Sequence, residues 1–197
     1  MKRFIPLALI SCVLIFTRPL NSQESANFEK IRDISPDGKF AVRISCSREP
    51  EDPDNIDRSL ITAVELVSLP SKTNVVMLLQ NQDGISGFER SVWSQDSNWF
   101  AGSFSSGVHD SDTSVYRRSV ENFADVATDN LHIDVRNDVR NEYVDPIRWL
   151  KPGVLLLEQH SIFYGGGGDV RYQFTAKFDD KTGKFRIISK KKVPSKK

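Results

Sequence analysis

Two short stretches, ISPDGKFAV at 34–42 and WSQDSNWFA at 93–101, repeat one another at an offset of 59 residues. A repeat constrains a fold more than composition does, because a chain that restarts must build similar units and stack them. Ile34 matches Trp93, Ser35 matches Ser94, Asp37 matches Asp96 and Phe40 matches Trp99. A third, fainter copy, WLKPGVLLL, begins at Trp149, 56 residues after Trp93, with one residue deleted and no Asp. Ser and Asp side chains bond backbone N–H groups in turns. Gly38 accepts a positive φ without steric penalty. The residues Asp37, Gly38, Asp96, Trp93 and Trp149 are thereby expected to be structural.

Beyond each copy the chain alternates with period two. In KFAVRIS, Phe40, Val42 and Ile44 share one face, and in VRYQFTAKF, Tyr172, Phe174, Ala176 and Phe178 share another. Such alternation marks half-buried strands. Polar, Pro-bearing or Gly-rich segments separate them, among them SREPEDPDNIDRS, HDSD and YGGGGD. The expected fold is mainly β: three consecutive antiparallel, three-stranded meanders at 34–92, 93–148 and 149–189, forming one domain. Residues 23–33 form a lead-in and 190–197 a basic, disordered tail. Helix formers in NDVRNEYV allow one short helix around 137–144, and Pro146 marks an end there. Cys46 shares the parity of Phe40, Val42 and Ile44, which makes it a buried apolar residue.

The repeated stretches resemble the WD40-like, TolB-type β-propeller repeat, whose core runs W-S-P-D-G-K-x-x-A. Gln95 replaces the Pro in the second copy, and the third lacks the Ser and Asp. The resemblance implies that the repeats build propeller blades and that the protein is a binding or assembly module, with no catalytic residue to carry over. A closed propeller usually needs four or more blades. Three units therefore imply an open or partial propeller-like array, a sandwich or partial barrel, or closure by homo-oligomerisation.

The first 22 residues carry Lys2 and Arg3 ahead of an apolar run from Phe4 to Phe16. That is the layout of a secretory signal peptide, too short to span a bilayer comfortably. Export to the periplasm or the exterior is expected, with no transmembrane helix after cleavage near Ser22 or Ser25. The alternative is a lipoprotein anchored at Cys12, within the lipobox-like LISC. Removing Lys2, Arg3 and Arg18 from the 27 basic residues leaves 24 against 26 acids, a net of about −2, so no nucleic-acid partner is expected.

The sequence carries little recognisable chemistry. The three histidines, His109, His132 and His160, show none of the clustering that zinc needs, and no metal or cofactor is expected. SFSSG lacks the first glycine and the following helix of a nucleophile elbow. The acidic loop with Asp52, Asp54 and Asp57 fails the spacing of a calcium hand. YGGGGD lacks the Lys-Ser/Thr and helix of a phosphate loop, and Asp169 would repel an anion. The candidate ligand-binding residues are His109, Asp110, Asp112, His160, Tyr164 and Asp169, all in or beside irregular loops, where recognition residues concentrate. The function expected is a non-catalytic binding or scaffold module of a bacterial cell envelope, partnered by another envelope protein or a wall polymer. The alternative is a small envelope hydrolase or carbohydrate-active enzyme whose site combines His109, Asp110, His160 and Asp169; it requires those loops to lie together.

Overall fold

A computed structural model describes residues 28–81, 85–120, 122–129, 131–135 and 138–194. The N-terminal segment read as a signal peptide, with Cys12, lies outside the described residues. Among the described residues, twelve strands form three antiparallel, four-stranded groups. The first comprises β1 (Phe28–Arg32), β2 (Phe40–Cys46), β3 (Ile61–Ser68) and β4 (Thr73–Gln80), hydrogen-bonded in chain order. The second comprises β5 (Gly87–Trp93), β6 (Trp99–Ser105), β7 (Asp110–Ser119) and β8 (Asn122–Val126). The third comprises β9 (Val139–Lys151), β10 (Val154–Phe163), β11 (Asp169–Asp179) and β12 (Lys184–Val193). A short parallel pairing, Asp110 opposite Glu142 and Ser111 opposite Tyr143, joins the second group to the third.

The period-two patterns explain the stacking. On β6, Phe100 faces the first sheet and packs with Phe40, Ile44 and Leu66. Its neighbours Trp99 and Ala101 face the third sheet and pack with Leu155, Leu157 and Phe174. The middle sheet is thus apolar on both faces, and the three sheets make an open, propeller-like array with two cores. Cys46 is fully buried in the first core, and burial pushes its thiol pKa up.

Each sheet has one strand more than the three read from the sequence, and the added strand precedes the repeated turn. The turn sits inside the first hairpin of each group, β1–β2, β5–β6 and β9–β10, rather than opening the unit. The units therefore begin earlier than 34, 93 and 149, and the lead-in contributes β1. The short helix allowed around 137–144 is replaced by the start of β9, where pairing with β10 overrides local helix propensity. Pro146 does not end the element. It lies beside a register shift between Leu156 and Leu157, and a bulge tolerates a residue without an N–H. Lysines on the outer strand, β12, discourage edge-to-edge association.

The repeated turns match bond for bond. Ser35 N–H donates to the Phe40 carbonyl at 2.8 Å, and Ser94 N–H to the Trp99 carbonyl at 2.9 Å. Phe40 N–H donates to Ser35 Oγ at 3.0 Å, and Trp99 N–H to Ser94 Oγ at 2.9 Å. Each serine hydroxyl donates to its Asp, Ser35 to Asp37 and Ser94 to Asp96. Gly38 and Ser97 occupy the same left-handed corner, with φ of 70° and 57°.

The turns also interlock. Asp37 N–H donates to Ser97 Oγ at 2.9 Å, and Arg118 Nη1 reaches Asp37 Oδ2 at 3.0 Å. Trp93 Nε1 donates to the Asp33 carbonyl at 2.6 Å, and Trp149 Nε1 to the Val92 carbonyl at 3.2 Å. Each of these indoles ties its sheet to the residue just before the corresponding position of the preceding repeat.

Burial opposes ionisation of Asp37 and Asp96, but the bonds that they accept outweigh it, so both carboxyls titrate below their usual range. For Asp37 those bonds come from Ser35, Lys39 N–H and Arg118; for Asp96 they come from Ser94 and Asn98. Depressed carboxyls stabilise the fold fully above the unfolded pKa, about 3.9, and lose that contribution as pH falls through the folded value. The urea midpoint is expected to drop between about pH 5 and pH 2. The Asp37→Asn/Asp96→Asn variant, starting lower, should lose less over that range. Parallel loss in both proteins would refute the assignment.

Candidate functional site

The face of the third sheet turned away from the core carries a polar ladder. On β10, Glu158 and His160 point outward, opposite Gln173 and Arg171 of β11. Alternation dictates this, since Leu155, Leu157 and Gln159 take the inward positions and are fully buried. Arg171 Nη1 donates to Glu158 Oε1 at 3.0 Å, and Gln173 Nε2 to Glu158 Oε2 at 3.2 Å. His160 Nε2 donates to Asp169 Oδ2 at 2.8 Å, and Arg171 Nε lies 3.9 Å from the same oxygen. The ladder is half-buried, which strengthens its bonds relative to exposed pairs.

At the end of this face the chain turns through Tyr164–Gly166 and on to β11, and Gly165, Gly166 and Gly168 take φ of 65°, 76° and 77°. These left-handed corners favour glycine. The turn, the ladder and the start of β9 enclose an open cleft of about 690 Å³, within the size range of small-molecule sites, about 300–1,000 Å³. Ile162 and Phe163 give it an apolar surface, Tyr164 stands 64% exposed at the rim, and Arg140 joins His160, Asp169 and Arg171 in the lining.

Three of the six candidate residues, His160, Tyr164 and Asp169, therefore meet in one cleft. The other three do not enter it. Asp110 accepts from Ser106 Oγ at 3.0 Å and lines a cavity of about 200 Å³ with Arg58, Glu89, Tyr143 and Asp145. Asp112 lines a third cavity, of about 320 Å³, beside Asp129 and His132. His109 is exposed, and its Nδ1 lies 3.0 Å from Asn141 Nδ2. Asn141 Nδ2 also donates to the Tyr143 hydroxyl at 2.8 Å, and the Tyr143 and His160 rings lie 6.1 Å apart. The loops at 105–113 and 160–170 thus lie side by side, bridged by β9. Asp110 lines a cavity separate from the cleft that His160 and Asp169 share, so the four residues of the enzyme alternative do not line one cavity.

Arg140 and Arg171 are not singled out by sequence reasoning. Arg171 shares the parity of Asp169, which could have signalled it; Arg140 lies in the stretch with the weakest periodicity. The lining supplies, among the described residues, no Ser, Thr or Cys hydroxyl or thiol beside His160. Among the described residues, no group of three His, Cys, Asp or Glu side chains could hold a metal ion, and no helix is long and apolar enough to cross a membrane.

The fold class is a mainly β, propeller-like array of antiparallel sheets with a cleft on its outer face. No family model matches the chain, and no curated protein matches it. Among solved structures it is similar to TolB from Acinetobacter baumannii, at 12% identity and a TM-score of 0.35, covering 83% of this chain and 44% of that one. It is also similar to a prolyl endopeptidase, at 12% identity and a TM-score of 0.36, covering 87% of this chain and 36% of the other. The chain spans less than half the length of either protein.

Proposed function

We propose that the protein is an exported, non-catalytic binding module of the cell envelope, and that the cleft beside the β10–β11 turn is its recognition surface. The observation that carries this reading is the cleft itself. Fixed polar groups, an apolar floor and an exposed aromatic rim converge in one open volume of about 690 Å³. The polar groups bond one another before any ligand arrives, so recognition does not have to order them. The apolar run at the N-terminus supports export, and the repeated turns support a scaffold role for the rest of the chain.

The test is affinity capture from an envelope fraction, quantified for the wild type and for the Arg140→Glu/Tyr164→Ala variant. Both residues are exposed, so the variant should fold normally. A Val120→Asn variant, altered at a remote exposed turn, is the control. The expected result is one envelope component captured by wild type and control, and reduced about tenfold or more by the cleft variant. Equal capture by all three proteins would overturn the proposal. So would His160-dependent, multiple-turnover breakdown of the captured component, which would favour the hydrolase.

A further inference from the structure

We infer that the cleft takes a saccharide bearing a carboxylate, an inference that rests on the cleft being the recognition surface. Sugar rings present an apolar C–H face and a rim of hydroxyls. The cleft offers matching surfaces: the exposed Tyr164 ring with Ile162 and Phe163, and the fixed polar ladder of His160, Asp169 and Arg171. A Cβ placed at Gly165, Gly166 or Gly168 would meet nothing within 4 Å, so the backbone rim is open to a ring.

Charge selects the carboxylate. Asp169 is already engaged by His160 and flanked by Arg171, and Arg171 is engaged by Glu158. The repulsion that Asp169 alone would impose on an anion is thereby offset. Arg140 makes no ion pair among the described residues and stands exposed at the cleft. An arginine presents a planar fork that suits one carboxylate. A doubly charged phosphate is disfavoured, because Glu158 and Asp169 stay close behind Arg171. A peptide cannot add here as a strand, because β10 and β11 are each paired on both edges.

The experiment titrates the full chain with N-acetylmuramic acid and with N-acetylglucosamine, which differ by a lactyl ether carboxylate, and with lactate alone. Chemical-shift perturbation gives the affinities. The acid sugar is expected to bind about tenfold or more tightly than the neutral sugar. Arg140→Gln should erase that difference, leaving the variant, unlike the wild type, with equal affinities for the two sugars. Tyr164→Ala should weaken both sugars, and lactate should bind more weakly than the acid sugar. Equal affinities, a preference that survives Arg140→Gln, lactate binding as tightly as the acid sugar, or binding of neither sugar would overturn the inference. If neither sugar binds while the envelope component is still captured through Tyr164, only the ligand class fails. If that capture is also independent of Tyr164, the recognition surface itself is misassigned.

Discussion

Trp99→Ala will destabilise the fold by about 3–5 kcal/mol, the cost typical of emptying a large buried aromatic site. Trp99 is 5% exposed. Its ring lies 5.4 Å from Trp149, 5.0 Å from Phe178 and 6.2 Å from Phe185, centroid to centroid. The Arg117 guanidinium covers it at 5.0 Å. These partners come from β7, β9, β11 and β12, so the cavity would open at the junction of the second and third sheets. Collapse is resisted because Trp149 is also held by its indole bond to the Val92 carbonyl. Denaturant unfolding with matched slopes measures the loss. Trp99→Phe, which keeps a ring in the site, should lose clearly less. A loss under about 1 kcal/mol for the alanine variant would mean that the two sheets are not coupled through this residue.

Gln159→Leu will cost about 2–4 kcal/mol although it exchanges a polar core residue for an apolar one of similar size. Gln159 is fully buried and serves several partners at once. Its Oε1 accepts from Ile133 N–H, and its Nε2 donates to the Ile133 carbonyl at 2.8 Å and to Glu142 Oε2 at 2.8 Å. Leucine would strand both backbone groups of Ile133 and remove one donor from the Glu142 carboxylate. Buried groups left without partners carry their full desolvation penalty. Ser161→Ala is the comparison, because Ser161 Oγ also donates to Glu142 Oε2, at 2.9 Å, and its removal leaves Ile133 satisfied. Equal losses in the two variants would place the cost on Glu142 alone.

The repeat was legible because its turn chemistry is local. Ser35, Asp37, Ser94 and Asp96 bond backbone groups within five residues in sequence, so a single stretch contains both donor and acceptor. The strands after each turn were legible for the same reason, since their parity is written in the residues themselves. The strands before the turns were harder. Val139–Lys151 mixes charges, a proline and helix formers, and only its pairing with β10 makes it extended. The cleft was half legible. His160, Tyr164 and Asp169 flank a conspicuous glycine run, whereas Arg140 reaches the cleft only through the pairing of β9 and β10. His109, Asp110 and Asp112 looked equivalent to them because loop residues of like chemistry carry no sign of which cavity they will face.

The indole ties give the array a direction. Trp93 hooks the carbonyl of Asp33, and Trp149 hooks that of Val92, so every hook reaches backward along the chain. Ile34 holds the corresponding place in the first sheet, and its aliphatic side chain has no N–H to offer. Growth of such a stack is therefore one-sided. A further unit appended beyond β12, with tryptophan at the matching position, would bring its own hook for the backbone near Arg148. The same unit fused ahead of β1 would meet a residue that cannot reach back to it.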